Sequence, residues 1–188
     1  YDGDGEQVFE FFDDFDDGVL DTSKWALTDD YPSGASVTEH DGVLDIYMRR
    51  IPYTVQEFPD PIAIEFKWKK DTDTWCGVGL SRFDGVSDPG NYYLPHNGIV
   101  YESEKSTSTD KTIFQKIVNG SRTVDGISHE FSVNTWYKIT FIDGKGSYST
   151  KLIVDGNEID SRSETTTFTE NHVSPGYAHE SDASHVYI

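Results

Sequence analysis

The 188 residues carry 15 Lys and Arg against 34 Asp and Glu, a net charge of −19 with neutral histidine. So acidic a surface repels phosphate backbones and anionic headgroups, which argues against nucleic-acid binding and electrostatic membrane docking, and no apolar run approaches the ~20 residues of a membrane-inserted helix. Hydrophobic content of 35% with 14% aromatics fits a ring-rich globular β protein and not a disordered chain. The lone Cys76 rules out an intrachain disulfide and any multi-thiolate metal site. The length suits one domain over 1–188, with 1–7 as a flexible lead-in. The chain opens at Tyr1 without an initiating Met or a signal peptide, as a mature product or an excised fragment does. An acidic composition rich in Ser, Thr and Tyr, with the sequon Asn119-Gly120-Ser121, reads as an extracellular or cell-surface domain.

In chain order, a short helical turn is expected around Asp21–Trp25, and then period-two alternation takes over. Val43–Met48 reads as a strand. Ile62, Ile64, Phe66 and Trp68 alternate with Ala63, Glu65, Lys67 and Lys69, so four apolar side chains share one face. Val78–Leu80 is a further candidate. Ile113–Val118 alternates so as to be covered on both sides, Tyr137, Ile139 and Phe141 line one face of the next strand, and Lys151–Val154 and His185–Ile188 complete the set. Asx-Gly pairs separate these runs at Asp17-Gly18, Asp41-Gly42, Asp84-Gly85, Asn97-Gly98, Asn119-Gly120, Asp125-Gly126, Asp143-Gly144 and Asp155-Gly156, the chemistry of tight hairpin turns. Many strands without crossover helices predict an all-β, antiparallel two-sheet sandwich or jelly roll. The longer polar stretches Asp84–Asn97 and Glu102–Lys111 are expected as rim loops.

Four segments then fall in a familiar order. Phe12-Asp13-Asp14-Phe15-Asp16-Asp17-Gly18-Val19-Leu20-Asp21-Thr22-Ser23-Lys24-Trp25 resembles the opening strand and turn of concanavalin A-like lectin/glucanase domains. Asp41–Ile46 looks like the strand that follows, Asn134–Phe141 is similar to a strand of laminin-G-like modules, and Leu152–Ile159 resembles the hairpin after it. The resemblance spans Phe9–Ile188 and implies a jelly roll of two curved sheets, with Trp25 packed beneath. Trp68 and Trp136 are expected in the core as well. Relatives extend their last strand further than Ile188, so either that strand continues beyond this sequence or another chain supplies the missing edge, an opening for self-association.

The resemblance also implies chemistry. Glucanases of this superfamily carry E-x-D-x-E or E-x-D-x-x-E on one strand, which sets two Glu carboxylates about 5 Å apart for a retaining mechanism. The nearest match, Glu158-Ile159-Asp160-Ser161-Arg162-Ser163-Glu164, places its last Glu one position too late even for the bulged form. Neither G-x-S-x-G nor H-E-x-x-H occurs, and His96, His129, His172, His179 and His185 are scattered over polar segments. A non-catalytic domain is the expectation. Relatives often hold one structural Ca²⁺, and carried over by position its ligands are Asp14 and Gly42, with a third beyond Ile188. Sugars offer apolar C–H faces ringed by hydroxyls, which proteins grip with aromatic platforms flanked by polar groups. Trp75, Asn91, Tyr92, Tyr93, His96 and Tyr101 concentrate such groups, and Arg49 and Arg82 add cations. The expectation is a carbohydrate-binding or adhesion module whose partner is a polysaccharide or glycoprotein glycan. The alternatives are a structural or assembly subunit of a surface filament, appendage or viral particle, and a glycan-cleaving hydrolase or lyase.

Overall fold

The computed structural model describes residues 10–28, 34–48, 50–59, 61–72, 76–83, 97–105, 110–127, 129–144, 146–165, 172–178 and 184–188. Among them are β1 (Trp25–Leu27), β2 (Ser36–His40), β3 (Val43–Tyr47), β4 (Pro52–Thr54), β5 (Ile62–Lys70), β6 (Cys76–Phe83) and β7 (Asn97–Lys105). The second half contributes β8 (Asp110–Val118), β9 (Ser121–Ile127), β10 (Tyr137–Gly144), β11 (Ser147–Val154), β12 (Asn157–Glu164), β13 (His172–Ala178) and β14 (His185–Tyr187). One sheet has the order β12-β11-β10-β5-β14-β3-β2, the other β13-β6-β7-β8-β9, and β1 pairs with β4. All pairings are antiparallel. Thr54 of β4 accepts the Val173 N–H at 3.0 Å through its hydroxyl, docking the β1–β4 ladder beside the edge strand β13.

Side-chain alternation accounts for the two layers. Leu44, Ile46, Trp68, Tyr137, Ile139, Phe141, Leu152 and Val186 of the larger sheet meet Cys76, Ile99, Tyr101 and Phe114 of the smaller. Each large side chain removed from water contributes about 1.5–3 kcal/mol. Trp68 is central to this core, with ring centroids 5.4 Å from Tyr137 and 4.7 Å from Phe131. Three expected Asx-Gly turns are two-residue hairpin loops with positive φ at both positions: Asp41-Gly42, Asn119-Gly120 and Asp155-Gly156. That is the type I′ geometry, whose twist matches the flanking strands.

Several expectations give way to tertiary context. Asn97-Gly98 lies in β7 and Asp125-Gly126 in β9, each inside a ladder and not at a corner. Glu102–Lys105 continues β7 and Asp110–Lys111 opens β8, so the Glu102–Lys111 stretch is largely strand; Glu102 is buried there despite its charge. Phe12–Asp16 forms no strand. It runs as an irregular segment that tucks Phe15, at φ 56°, under Trp25. The helical turn at Asp21–Trp25 is present, with Lys24 and Trp25 N–H both donating to the Asp21 carbonyl. Trp25 and Trp68 are buried as expected, whereas Trp136 is 39% exposed. Trp136 and Tyr137 are consecutive at the mouth of β10, so only one of them can face inward, and the buried ring is Tyr137. β14 is an interior strand, flanked by β3 and β5.

Candidate functional site

The smaller sheet presents a second packed face on its outer side. Cross-strand register places Val100, Gln115 and Val124 in one row of that face, Glu102 and Ile113 in the next, and Ile117 with Arg122 on the other side of Gln115. Ile51 packs onto Val100 and Ile117, forming a small apolar cluster separate from the main core. Arg122 Nη2 reaches to 3.8 Å from Glu102 Oε2. Because Arg122 is opposite Ile117 and Glu102 opposite Ile113, this link runs diagonally across β8 past Gln115.

Gln115 is the anomaly of the face. It is 0% exposed, and neither its Oε1 nor its Nε2 has a hydrogen-bond partner. An amide in that state forfeits about 1–3 kcal/mol of stability, a cost that folded proteins seldom leave unexplained. Its carbonyl accepts and its NH₂ donates, which matches a hydroxyl that does both. Arg50, which precedes Ile51 in sequence, likewise has its Nε buried without a hydrogen-bond partner. Sequence reading missed Glu102, Gln115 and Arg122, since nothing local marks a polar residue on a doubly covered strand as functional. The available signal was the alternation in Ile113–Val118, which puts Gln115 between two isoleucines on one face.

Trp75, Asn91, Tyr92, Tyr93, His96 and Arg49 lie outside the described residues, as do the side chains of Arg82 and Asn97. The segment 84–96 joins Phe83 to Asn97, next to Gly98, which pairs with Ile117 and through it neighbours Arg122. Tyr101 points between the sheets, fully enclosed; its hydroxyl is 2.6 Å from Thr150 Oγ1 and donates to Asp160 Oδ2 at 3.0 Å.

The acidic segment Glu158–Glu164 falls on β12, at the edge of the larger sheet. A bulge there shifts the register between Leu152 and Ile153, so Glu158 pairs opposite Ile153 but Asp160 opposite Leu152. The extra residue reverses the facing: Glu158 turns outward to Lys151 at 2.9 Å, while Asp160, Arg162 and Glu164 turn towards the smaller sheet. Arg162 holds Asp160 at 2.9 Å and Asp125 at 3.1 Å, and Glu164 pairs with Lys116.

At the far side of the molecule the Asp41-Gly42 turn meets the opening segment. A side chain at Gly42 would touch the Asp14 carbonyl oxygen at 3.7 Å, so the two sequence-predicted metal positions are neighbours. Acidic groups crowd this corner. Asp13 accepts the Trp25 indole N–H at 2.7 Å. Burial, then the charge of Asp13 and a hydrogen bond to Asp17, push the Glu39 carboxyl up to about 7. Among the described residues no three His, Cys, Asp or Glu side chains converge into a ready metal-ligand set.

No protein-family model matches the chain, and no curated protein matches it. Solved structures do match. The carbohydrate-binding module CBM66 from Bacillus subtilis superposes with a TM-score of 0.55 at 14% identity, over 88% of this chain and 92% of that one. A legume lectin-like domain from Entamoeba histolytica gives 0.60 at 8% identity, over 87% and 86%. A β-1,3-glucanase from Mycobacterium marinum gives 0.59 at 13% identity, over 95% of each chain. The shared property is the fold: this chain is a concanavalin A-like jelly-roll β-sandwich, as its sequence motifs implied.

Proposed function

We propose that this chain is a non-catalytic carbohydrate-binding module of an extracellular or cell-surface protein, serving adhesion or polysaccharide capture through the outer face of its smaller sheet. The observation that carries the reading is Gln115, an enclosed amide with both ends unpaired among buried apolar side chains, beside Arg122 and Glu102. A sugar hydroxyl both donates and accepts, which is the pairing that the Gln115 amide lacks. The names of two structural neighbours, a carbohydrate-binding module and a lectin-like domain, agree with this assignment, and that of the third is an enzyme's.

Absence of catalysis has its own support. A retaining glycosidase needs two carboxyl groups about 5–5.5 Å apart facing one sugar. Among the described side chains of the outer face, Glu102 is the single carboxylate, and it is tied to Arg122. On β12 the bulge sends Glu158 and Asp160 to opposite faces, and each has a cationic partner. Calcium is part of the proposal: the Asp14 and Gly42 carbonyls would hold it within the acidic field of Asp13, Asp17 and Glu39, where it would brace the opening segment against the β2–β3 turn.

The deciding experiment is glycan-array screening followed by calorimetric titration of the best oligosaccharide against Gln115→Leu. Removing an unpaired buried amide raises stability by about 1–3 kcal/mol while binding is lost. Tyr92→Ala weakens binding with no such gain. A Gln115→Leu protein that binds as well as the parent overturns the site, and release of reducing ends from β-glucans overturns the non-catalytic assignment.

A further inference from the structure

The outer face of the larger sheet holds a second candidate site, on the opposite side of the sandwich from Gln115. Lys67 and Lys69 of β5, Lys138 of β10 and Lys151 of β11 all face outward there, on three adjacent strands. In a chain with 15 basic residues and a net charge of −19 this is a marked concentration of positive charge. Two of these lysines are answered within the sheet, Lys138 by Glu65 at 2.8 Å and Lys151 by Glu158 at 2.9 Å. Lys69 is held between two rings, 4.9 Å from the centroids of Trp136 and of Tyr187. Lys67 is exposed, has no ion-pair partner among the described residues, and stands directly opposite Lys138 in the β5–β10 register. Like charges facing each other across a ladder destabilise it; Glu65 answers Lys138, which leaves Lys67 as the ammonium of this pair open to an outside anion.

Lys67 and Lys138 border a cleft of about 690 Å³, lined also by Val43, Trp136, Ile153 and Asp155. The volume falls within the range of small-ligand sites. Trp136, which the alternation of β10 turns outward, gives the cleft a half-exposed indole, while Lys67 and Lys138 supply ammonium donors and Asp155 a carboxylate acceptor. An indole suits a C–H face, two ammoniums suit a carboxylate, and an aspartate suits hydroxyls. We propose that this cleft binds a carboxylated sugar, a uronate residue of an acidic polysaccharide, with its ring against Trp136 and its carboxylate between Lys67 and Lys138. The site shares no residue with the Gln115 face and stands whether or not that face binds sugar.

The test is calorimetric titration of the intact chain with trigalacturonate and with its neutral, carboxyl-reduced counterpart. Trigalacturonate binds, the neutral trimer binds at least tenfold more weakly, and binding fades in about 0.5 M salt because an exposed ion pair is screened. Lys67→Glu, on an exposed strand position, leaves the melting temperature near that of the parent and weakens trigalacturonate by about tenfold or more. Trp136→Ala removes the tryptophan fluorescence change on binding, and Gln115→Leu leaves the affinity unaltered. The proposal is overturned if trigalacturonate does not bind, if the neutral trimer binds equally well, or if a sulfated neutral trimer binds more tightly. Equal affinity in Lys67→Glu overturns it as well. Loss of trigalacturonate binding in Gln115→Leu would assign the acidic sugar to the other face.

Discussion

Glu39 offers a quantitative test of the acidic corner where the opening segment meets the β2–β3 hairpin. Its side chain is 7% exposed, Oε1 has no hydrogen-bond partner, and burial beside Asp13 and Asp17 raises its carboxyl from 4.5 to about 7. The folded state therefore binds a proton that the unfolded chain has already released between those two pH values. The stability tied to that proton is complete below about 4.5 and disappears as pH rises through about 7. Between pH 5 and pH 7.5 the loss amounts to about 2 kcal/mol, or roughly 4–8 °C of Tm for a chain of this size. His40, whose imidazolium is favoured by its hydrogen bond to Asp45, drifts in the same direction. Glu39→Gln removes the Glu39 part and keeps that of His40. In chelator, thermal melts across pH 5–7.5 are expected to fall steeply for the parent and shallowly for Glu39→Gln, so the variant becomes the more stable protein near pH 7.5. Parallel profiles for the two proteins would refute the reasoning.

Other outcomes follow from single contacts. Trp68→Ala, at the centre of the core, costs about 3–5 kcal/mol, read as a shift in denaturant midpoint. Tyr101→Phe strips the inter-sheet hydroxyl from Thr150 and Asp160 and costs about 1–3 kcal/mol by thermal melting, yet leaves glycan affinity unchanged because the ring stays between the sheets. Calcium raises Tm by mass action, and excess chelator reverses the gain. Gly42→Ala places a side chain at φ 73° beside the Asp14 carbonyl, so it costs about 1 kcal/mol or more and blunts the calcium response. A transition indifferent to both calcium and chelator removes the metal from the account.

What the sequence determined by itself was everything that rests on local period and local turn chemistry. Alternation in Ile62–Trp68 and Tyr137–Phe141 names the inward residues, and Asx-Gly at 41–42, 119–120 and 155–156 supplies the left-handed backbone that two-residue hairpins demand. The same rule, applied to neighbours, could have turned Trp136 outward once Tyr137 was placed inward. Tertiary structure alone decided the rest. Asp125-Gly126 has the composition of a turn but pairs within β9, because a ladder partner on β8 and Arg162 from the other sheet outweigh a weak local preference. Which polar atoms end up buried without a partner, as the Gln115 amide and Glu39 Oε1 do, depends on layers contributed by distant segments, and which lysines meet across β5 and β10 depends on register. Both are long-range properties: a residue's own neighbours set its conformation and its facing, whereas what stands opposite it is set by chain that folds back from far away.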